Sequence, residues 1–564
     1  MAETLYFIGL LWYNESSKIT IIKEITMSFH LNKAQQMAIH DSLLSLTERE
    51  RKYLHDSWAE TFSQKIFPYI EEDRFSVLYS ANPASRPNNP VNVYFGLLIL
   101  REIFGQSDEE ALHSLIFDIR YQYALHTTSL AEQPVSKNSL TNFRAAVYRY
   151  HQEHGVDLIQ EEIEAQAKSF SKLLKIDGKT LRMDSLMISS SCRKLSRLEM
   201  IYSTVARFLR VLDQNTLPER FQPYLEENHY QDTIYRAHDK DLNSKIKKVL
   251  KDGLKLYHLY RKDNKISKTE EFQLLGRMLK EQKGKSSQQI APDSLQNPTD
   301  PDATYRKKGK QKHIGYTANL IEKFDDQHRM ITGYDLQKNT YSDQKFALDT
   351  ISKLPVEEVT ALVDGAYYSE EIAKKAKAKG IKMVPTNLVG RGKHSHAAQF
   401  EIDEKERLVK KCPSGHQPID NIFKKGSYRA HFDQKHCKCC PFRKDCSVKK
   451  QKKSYLFKVS EKSLHRLRLI KKMGTLQYQE LARKRAGIEG IPSVLRRRYR
   501  IDHLPVRGLI RVKAYLGFKI SAINCKRLIK GLANRPIPEL STLLFGHLCS
   551  LFGFQRTYQV KFAA

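Results

Sequence analysis

The chain lacks an apolar span of the roughly 18 residues that a membrane helix requires, and it offers no basic amphipathic helix of the membrane-surface kind. Both absences argue against a membrane partner. The apolar run near the start, Leu5 to Tyr13, is short, follows the acidic Glu3 and has no small-residue cleavage site behind it, so no export signal is expected. Cysteine is scarce, with 8 in 564 residues. Cys412, Cys437, Cys439, Cys440 and Cys446 crowd into one short region, while Cys192, Cys525 and Cys549 are scattered. Such clustering argues against a disulfide framework and fits metal ligation in a reducing compartment, the cytoplasm being the expected location. Acidic charge is in deficit: 63 Asp plus Glu stand against 95 Lys plus Arg, a net charge of +32. An excess of this size attracts polyanions over long range, which makes nucleic acid the expected partner.

What is present suffices for packed cores, since 40% of residues are hydrophobic and 10% aromatic. The length implies roughly three or four structural units. Met27-Ser28-Phe29 opens a polar-then-helical segment, so translation is expected to start there and residues 1–26 to lie outside the fold. From Leu31 to about Ala146 the pattern is helical. Pro90 introduces Val91 to Leu100, which reads as a buried helix, and Ser107-Asp108-Glu109-Glu110 reads as a capping box ahead of Ala111, Leu112, Leu115 and Ile116. Ser139 precedes Leu140, Phe143 and Val147 at helical spacing. Residues 27–150 therefore read as a helical N-terminal domain, either a helix-turn-helix DNA binder or a helical core module.

After Lys172 the period changes. Leu173 to Asp177 and Leu181 to Ile188 read as extended chain around a glycine turn, the first strand pair or one bent strand. From Leu195 to about Leu279 the amphipathic helical pattern returns, and Gly284 to Pro301 reads as a linker. Strands are expected at Ile314–Ile321, Met330–Asp335, Val359–Val363 and Ile381–Pro385, with helices from Ser342 and around Glu370–Ala378. A strand, inserted helices, two strands and then alternating helix and strand is the order of a ribonuclease-H-like α/β core. The expected division is 171–192 with 302–390 for that core, 193–301 for a helical insertion, 391–475 for a Cys-rich insertion and 476–564 for the C-terminal helical part.

Two carboxylates fall where such a core gathers its chemistry: Asp184 in the first strand, and Asp364 at the carboxyl end of the strand Val359–Val363. Phosphodiester cleavage requires a deprotonated attacking oxygen and a stabilised leaving oxygen, and two divalent ions about 4 Å apart supply both when hard oxygen ligands bridge them. A third carboxylate, Glu489, lies in Arg485-Ala486-Gly487-Ile488-Glu489-Gly490 and is followed by Arg496, Arg497, Arg498 and Arg500. On a continuous helix Arg485, Glu489 and Arg496 share one face, where the basic side chains could grip phosphates, although Pro492 threatens that continuity. Asp177, Asp335 and Glu370 are the alternatives, read as ordinary strand-end or helix charges.

The segments Arg182-Met183-Asp184-Ser185, Val363-Asp364-Gly365-Ala366-Tyr367 and Arg485 to Gly490 with Arg496 resemble the three carboxylate motifs of bacterial insertion-sequence DDE transposases. The closing Tyr-x2-Arg-x3-Glu-x6-Lys/Arg signature of that group is matched by Arg485, Glu489 and Arg496, with Ala482 standing where the tyrosine is expected. Gly508-Leu509 through Asn524 and Arg527-Leu528 resemble the family's final helix, and within the group the chain looks most like insertion sequence family eleven eighty-two. The resemblance implies an enzyme that binds the terminal inverted repeats of its element as a dimer, cuts at the ends and joins the 3′ ends to target double-stranded DNA. Asp184, Asp364 and Glu489 would then carry two Mg²⁺, with Arg485, Arg496 and Arg497 on DNA. A nuclease that cuts without joining, and an inactive DNA-binding relative, are the rivals.

In the cysteine cluster, Cys412, Cys437, Cys440 and Cys446 can be written as a single Cys, a C-x2-C pair and a trailing Cys, a set suited to structural Zn²⁺. Cys439, His416 or His436 could substitute as ligands. The basic runs Arg306 to Lys310 and Lys449 to Lys453 read as loops able to contact phosphate.

Overall fold

A computed structural model describes residues 29–32, 41–82, 84–85, 87–128, 135–236, 240–285, 289–388 and 395–533. The expectations for residues 1–26, for a start at Met27 and for Cys549 lie outside the described residues.

The N-terminal region is helical: α1 (Glu48–His55), α2 (Trp58–Lys65), α3 (Val91–Phe104), α4 (Asp108–Phe117), α5 (Ile119–Ala124), α6 (Lys137–His154) and α7 (Leu158–Leu173). Pro90 precedes α3, which is buried from Val91 to Ile103, and the Ser107–Glu110 capping box opens α4 as expected. α6 begins earlier than Ser139 suggested, because Ser136 is its cap and accepts from the Ser139 N–H at 3.1 Å. Leu173 to Asp177 is not a strand. It is the end of α7 and a turn in which Lys175 adopts a φ of 57° and the Ile176 N–H bonds back to Ser171 O at 3.0 Å.

The first strand is the single β1 (Thr180–Ser189). Between it and the next strand stand α8 (Arg197–Arg210), α9 (Glu227–Tyr230), α10 (Leu242–Tyr260) and α11 (Glu270–Gln282), which share a hydrophobic core of their own. Then follow β2 (Thr304–Lys308), β3 (Gln311–Phe324), β4 (Arg329–Lys338), α12 (Asp343–Lys353), β5 (Val359–Val363), α13 (Glu370–Ala378) and β6 (Ile381–Pro385). The basic run at 306–310 is thus an edge strand and its hairpin turn, with Gly309 at a φ of 61°. The mixed sheet runs β4-β3-β1-β5-β6, with β2 also on β3. β3 is antiparallel to β1, β2 and β4, whereas β1, β5 and β6 are parallel.

Residues 395–467 build a separate small β unit with its own apolar core. It contains the pair β7 (Glu401–Asp403) and β8 (Leu408–Lys411), then β9 (Asp420–Lys424), β10 (Ser427–Phe432), α14 (Gln434–Lys438), β11 (Lys449–Lys450) and β12 (Tyr455–Ser460), the last four strands ordered β11-β12-β10-β9. The chain returns to the main sheet through α15 (Glu461–Met473), α16 (Leu476–Ala486), α17 (Gly490–Arg497) and α18 (Leu509–Ala533). α18 joins the two halves of the molecule: Phe518 lies 5.0 Å from the Phe95 ring, Lys519 pairs with Glu102 at 2.7 Å, and the Asn524 amide bonds Ile331 O at 2.8 Å. The N-terminal helices and half of the sheet therefore share one continuous core.

Candidate active site

Strand pairing brings the first two carboxylates together. Arg182 of β1 is opposite Leu362 of β5 in a parallel register, so two residues further on Asp184 stands alongside Asp364 on the same face. On one side of the sheet Leu181 and Met183 pack with Ala361, Val363 and the helices α12 and α13. On the other, Leu362 packs against Tyr478 and Leu481 of α16. Asp184 and Asp364 share that second face, the one crossed by α16 and by the turn after it that bears Glu489.

α16 does not run unbroken into α17. Residues 487–489 form a single 3-10 turn against β1, and a new helix starts at Gly490, so Pro492 falls in a first turn where a missing N–H costs nothing. The backbone stays right-handed helical through the junction. Arg485 and Glu489 consequently remain one turn apart. The Arg485 guanidinium bridges Asp184 at 2.9 Å and Glu489 at 2.6 Å. Burial lifts the Asp184 carboxyl above the ordinary carboxylate range. Arg485 pulls it down, and the negative charges of Glu489 and Asp364 push it up again. Three hard oxygen donors with a cation already drawn among them are a donor set that fits a divalent ion. Among the described residues, no three His, Cys, Asp or Glu side chains stand close enough to hold one as they are.

Several residues that hold this arrangement stand in the quoted motif segments, where no role was read for them. Arg182 forms a buried ion pair with Glu322 of β3 and donates to the Lys484 carbonyl, which pins the end of α16 to β1. Tyr367, buried beyond the β5 turn, donates to Asn319 Oδ1 at 2.8 Å, and Asn319 is the β3 partner of Ser185 beside Asp184. Gly365 is required for space: a Cβ there would meet the Asn387 carbonyl oxygen at 2.1 Å. Gly365→Ala is expected to cost about 1–3 kcal/mol, read as a lower denaturation midpoint, because a backbone oxygen cannot swing aside. A midpoint unchanged from wild type would show that residues 387–388 give way freely.

The remaining basic residues sit differently. Arg496 donates to the Met187 carbonyl at 3.0 Å and pairs with Asp502 at 3.1 Å, and Asp502 in turn accepts from the Ser189 N–H, so this arginine staples α17 to the end of β1. Arg497 is exposed. Asp177 lies in an exposed turn, Asp335 pairs with Lys513 at 3.3 Å, and Glu370 lies in the first turn of α13.

In the small β unit, Cys412, Cys437, Cys440 and Cys446 line one cavity with His416 and His436, whose rings stack at 4.3 Å. Burial and the three neighbouring thiols push the Cys437 thiol up to about 11.

Comparison with known families adds three matches. Residues 411–529 match a transposase DDE domain, a span that includes Arg485, Glu489 and Arg496 and excludes Asp184 and Asp364. Residues 52–146 match a transposase domain (DUF772), and residues 202–325 match the origin-binding domain of plasmid replication proteins. The last span begins within α8, covers the other inserted helices and runs through β2 and β3. No curated protein and no solved structure matches the chain. Two transposase domains and an origin-binding domain indicate a DNA transposase. Together they support an insertion-sequence DDE transposase, a class that uses a divalent metal ion, generally Mg²⁺. No helix among the described residues is long and apolar enough to cross a membrane.

Proposed function

We propose that this chain binds the terminal inverted repeats of its insertion sequence, cleaves at the element ends and joins the 3′ ends to target DNA, working in the cytoplasm as a homodimer on DNA. The strand order β4-β3-β1-β5-β6 supports an RNase-H-like core, with the inserted helices and the cysteine-bearing β unit as its insertions. The observation that carries the reading is the β1–β5 register, which sets Asp184 beside Asp364, together with the single arginine that ties Asp184 to Glu489.

Asp184, Asp364 and Glu489 would hold two Mg²⁺, which when bound would activate the attacking oxygen and stabilise the leaving one. Burial and the like charges of Glu489 and Asp364 make ionised Asp184 costly, so the pocket favours positive charge. Arg485 supplies that charge, and once the carboxylates have another partner its guanidinium is free to turn to a DNA phosphate. Arg496 holds α17 to β1 and, with the exposed Arg497, offers cations at the rim. Labelled DNA carrying the flanking terminal repeats tests the reading with Mg²⁺ or Mn²⁺: cutting followed by joining is expected. Cutting without joining would indicate a nuclease, and binding without cutting an inactive relative.

The reading extends to the β unit, where Cys412, Cys437, Cys440 and Cys446 would hold a structural Zn²⁺. Four cysteines lining a single cavity, with the Cys437 and Cys446 thiols pushed up by burial and by their neighbours, are the donors such an ion would deprotonate. Elemental analysis of the purified chain is expected to find about one zinc per chain. Its absence from protein purified without chelator would sink this assignment.

A further inference from the structure

Within the amphipathic helical stretch 195–279, α10 presents a basic face. Its apolar side, including Ile246, Val249 and Leu256, is buried in the core of the inserted helical unit. Its outer side carries Lys247, Lys248, Lys251 and Lys255, all exposed, with His258 beyond them. At 100° per residue these four lysines fall within about a third of the helix circumference, centred near Lys251. No carboxylate of the helix itself balances them. The helix has one acid, Asp252, which is buried and taken by Arg220 and the Tyr224 hydroxyl. Among the described residues none of the four lysines is in an ion pair. A few exposed lysines elsewhere have acidic partners, as in Lys375 with Glu371 or Lys410 with Asp403, so it is the alignment of four lysines on one helix face, more than their lack of partners, that sets α10 apart. The 19 residues of α10 span about 28 Å.

We propose that the outer face of α10 is a phosphate-backbone grip for duplex DNA, separate from the catalytic face of the sheet. A row of unpaired cations on a rigid helix suits a line of backbone phosphates spaced along a duplex, and it reads no base sequence. The apolar side of the helix is already committed to the core, so α10 cannot sink into a bilayer in the manner of a membrane-surface helix. The match of residues 202–325 to an origin-binding domain, a unit defined by DNA contact, covers the whole of α10. The inference rests on the transposase reading for the identity of the DNA but not on its chemistry.

The test is binding of the full chain to a 40-base-pair duplex across a salt series, comparing wild type with Lys247→Gln/Lys251→Gln/Lys255→Gln. A Lys374→Gln/Lys377→Gln control on α13 and anionic phospholipid vesicles run alongside. Each phosphate contact contributes about 0.9 to the slope of log affinity against log salt, so the triple variant is expected to lose between about 2 and 3 from the magnitude of that slope. Its affinity should fall at least about tenfold at low salt, while the control keeps the wild-type slope. The three lysines are exposed, so the melting temperature should not move. A triple variant with the wild-type slope overturns the α10 grip and leaves the transposase reading standing. A control that loses as much as the triple variant shows a bulk charge effect and overturns the grip as well. Loss of vesicle binding with the DNA slope intact reassigns the face to lipid. A wild-type chain that binds no duplex overturns both readings.

Discussion

Asp184→Asn, Asp364→Asn and Glu489→Gln are each expected to abolish strand cleavage, lowering it on the order of 10³-fold or more, while DNA binding survives. On the proposed reading the three carboxylates act as one donor set, so removing any one would remove the work of all, as happens with residues that function as a unit. What makes the expectation discriminating is that it opposes the stability trend. Burial and two like charges raise the Asp184 carboxyl, which means that its ionised form is more costly in the folded chain than in the unfolded one. That cost is present above the ordinary carboxylate range and is relieved as the pH falls and the group takes up a proton. Neutral Asn at 184 should therefore leave the melting temperature at neutral pH unchanged or higher, since Arg485 keeps Glu489 as a partner. A cleavage-dead Asp184→Asn variant that melts as high as wild type identifies a functional carboxylate. A variant that still cuts removes Asp184 from the site, and one that melts markedly lower would mean the residue is structural.

The second large effect is expected at Glu322, which takes no part in the chemistry. Its side chain is completely buried, accepts from Arg182 Nε at 2.6 Å and is ion-paired with Arg527 at 2.9 Å. Arg182 also lies 4.3 Å from the Phe324 ring centroid and reaches the Lys484 carbonyl at the end of α16. Glu322→Ala would leave two buried guanidiniums facing each other without a counter-ion, a loss of about 3–5 kcal/mol, a large share of the 5–15 kcal/mol that holds a typical domain together. Denaturant unfolding should show the lowered midpoint. Cleavage should weaken even where the variant stays folded, because the turn bearing Glu489 loses its anchor on β1. A midpoint within about 0.5 kcal/mol of wild type would mean that the cluster contributes nothing net.

The parts of this molecule legible in its sequence are those whose signals are local. Pro90 before an apolar run, the Ser107–Glu110 box and the β5-α13-β6 alternation each fix their own structure within a few residues, and the described chain adopts them. Leu173 to Asp177 misled because an apolar run at a helix end and a buried strand look alike, and only the left-handed Lys175 separates them. β2 was hidden because Thr304 to Lys308 is half exposed on a sheet edge and reads as a charge run. α10 was missed as a basic face because its lysines are interleaved with the residues that fill its core. The triad residues could be nominated from motif, but two aspartates in different strands become neighbours only through a pairing register, which no local pattern encodes. The roles of Arg182, Tyr367 and Gly365 depend on partners far along the chain and could not be read at all.

The division of the sheet also bears on how the molecule reaches its native state. Arg182 and Glu322, partners across β1 and β3, are 140 residues apart in sequence, and the stretch between them includes the helices α8 to α11, which have a core of their own. Closing so long a loop costs only slowly more entropy if the intervening chain has already become compact, because a folded unit shortens the effective loop. The inserted helices should therefore condense first, through local contacts that form quickly, and the central strand should wait unpaired until β3 and β5 have been synthesised. During synthesis β1 would wait with open edges, and early compaction of the helices following it would bring its partners within reach.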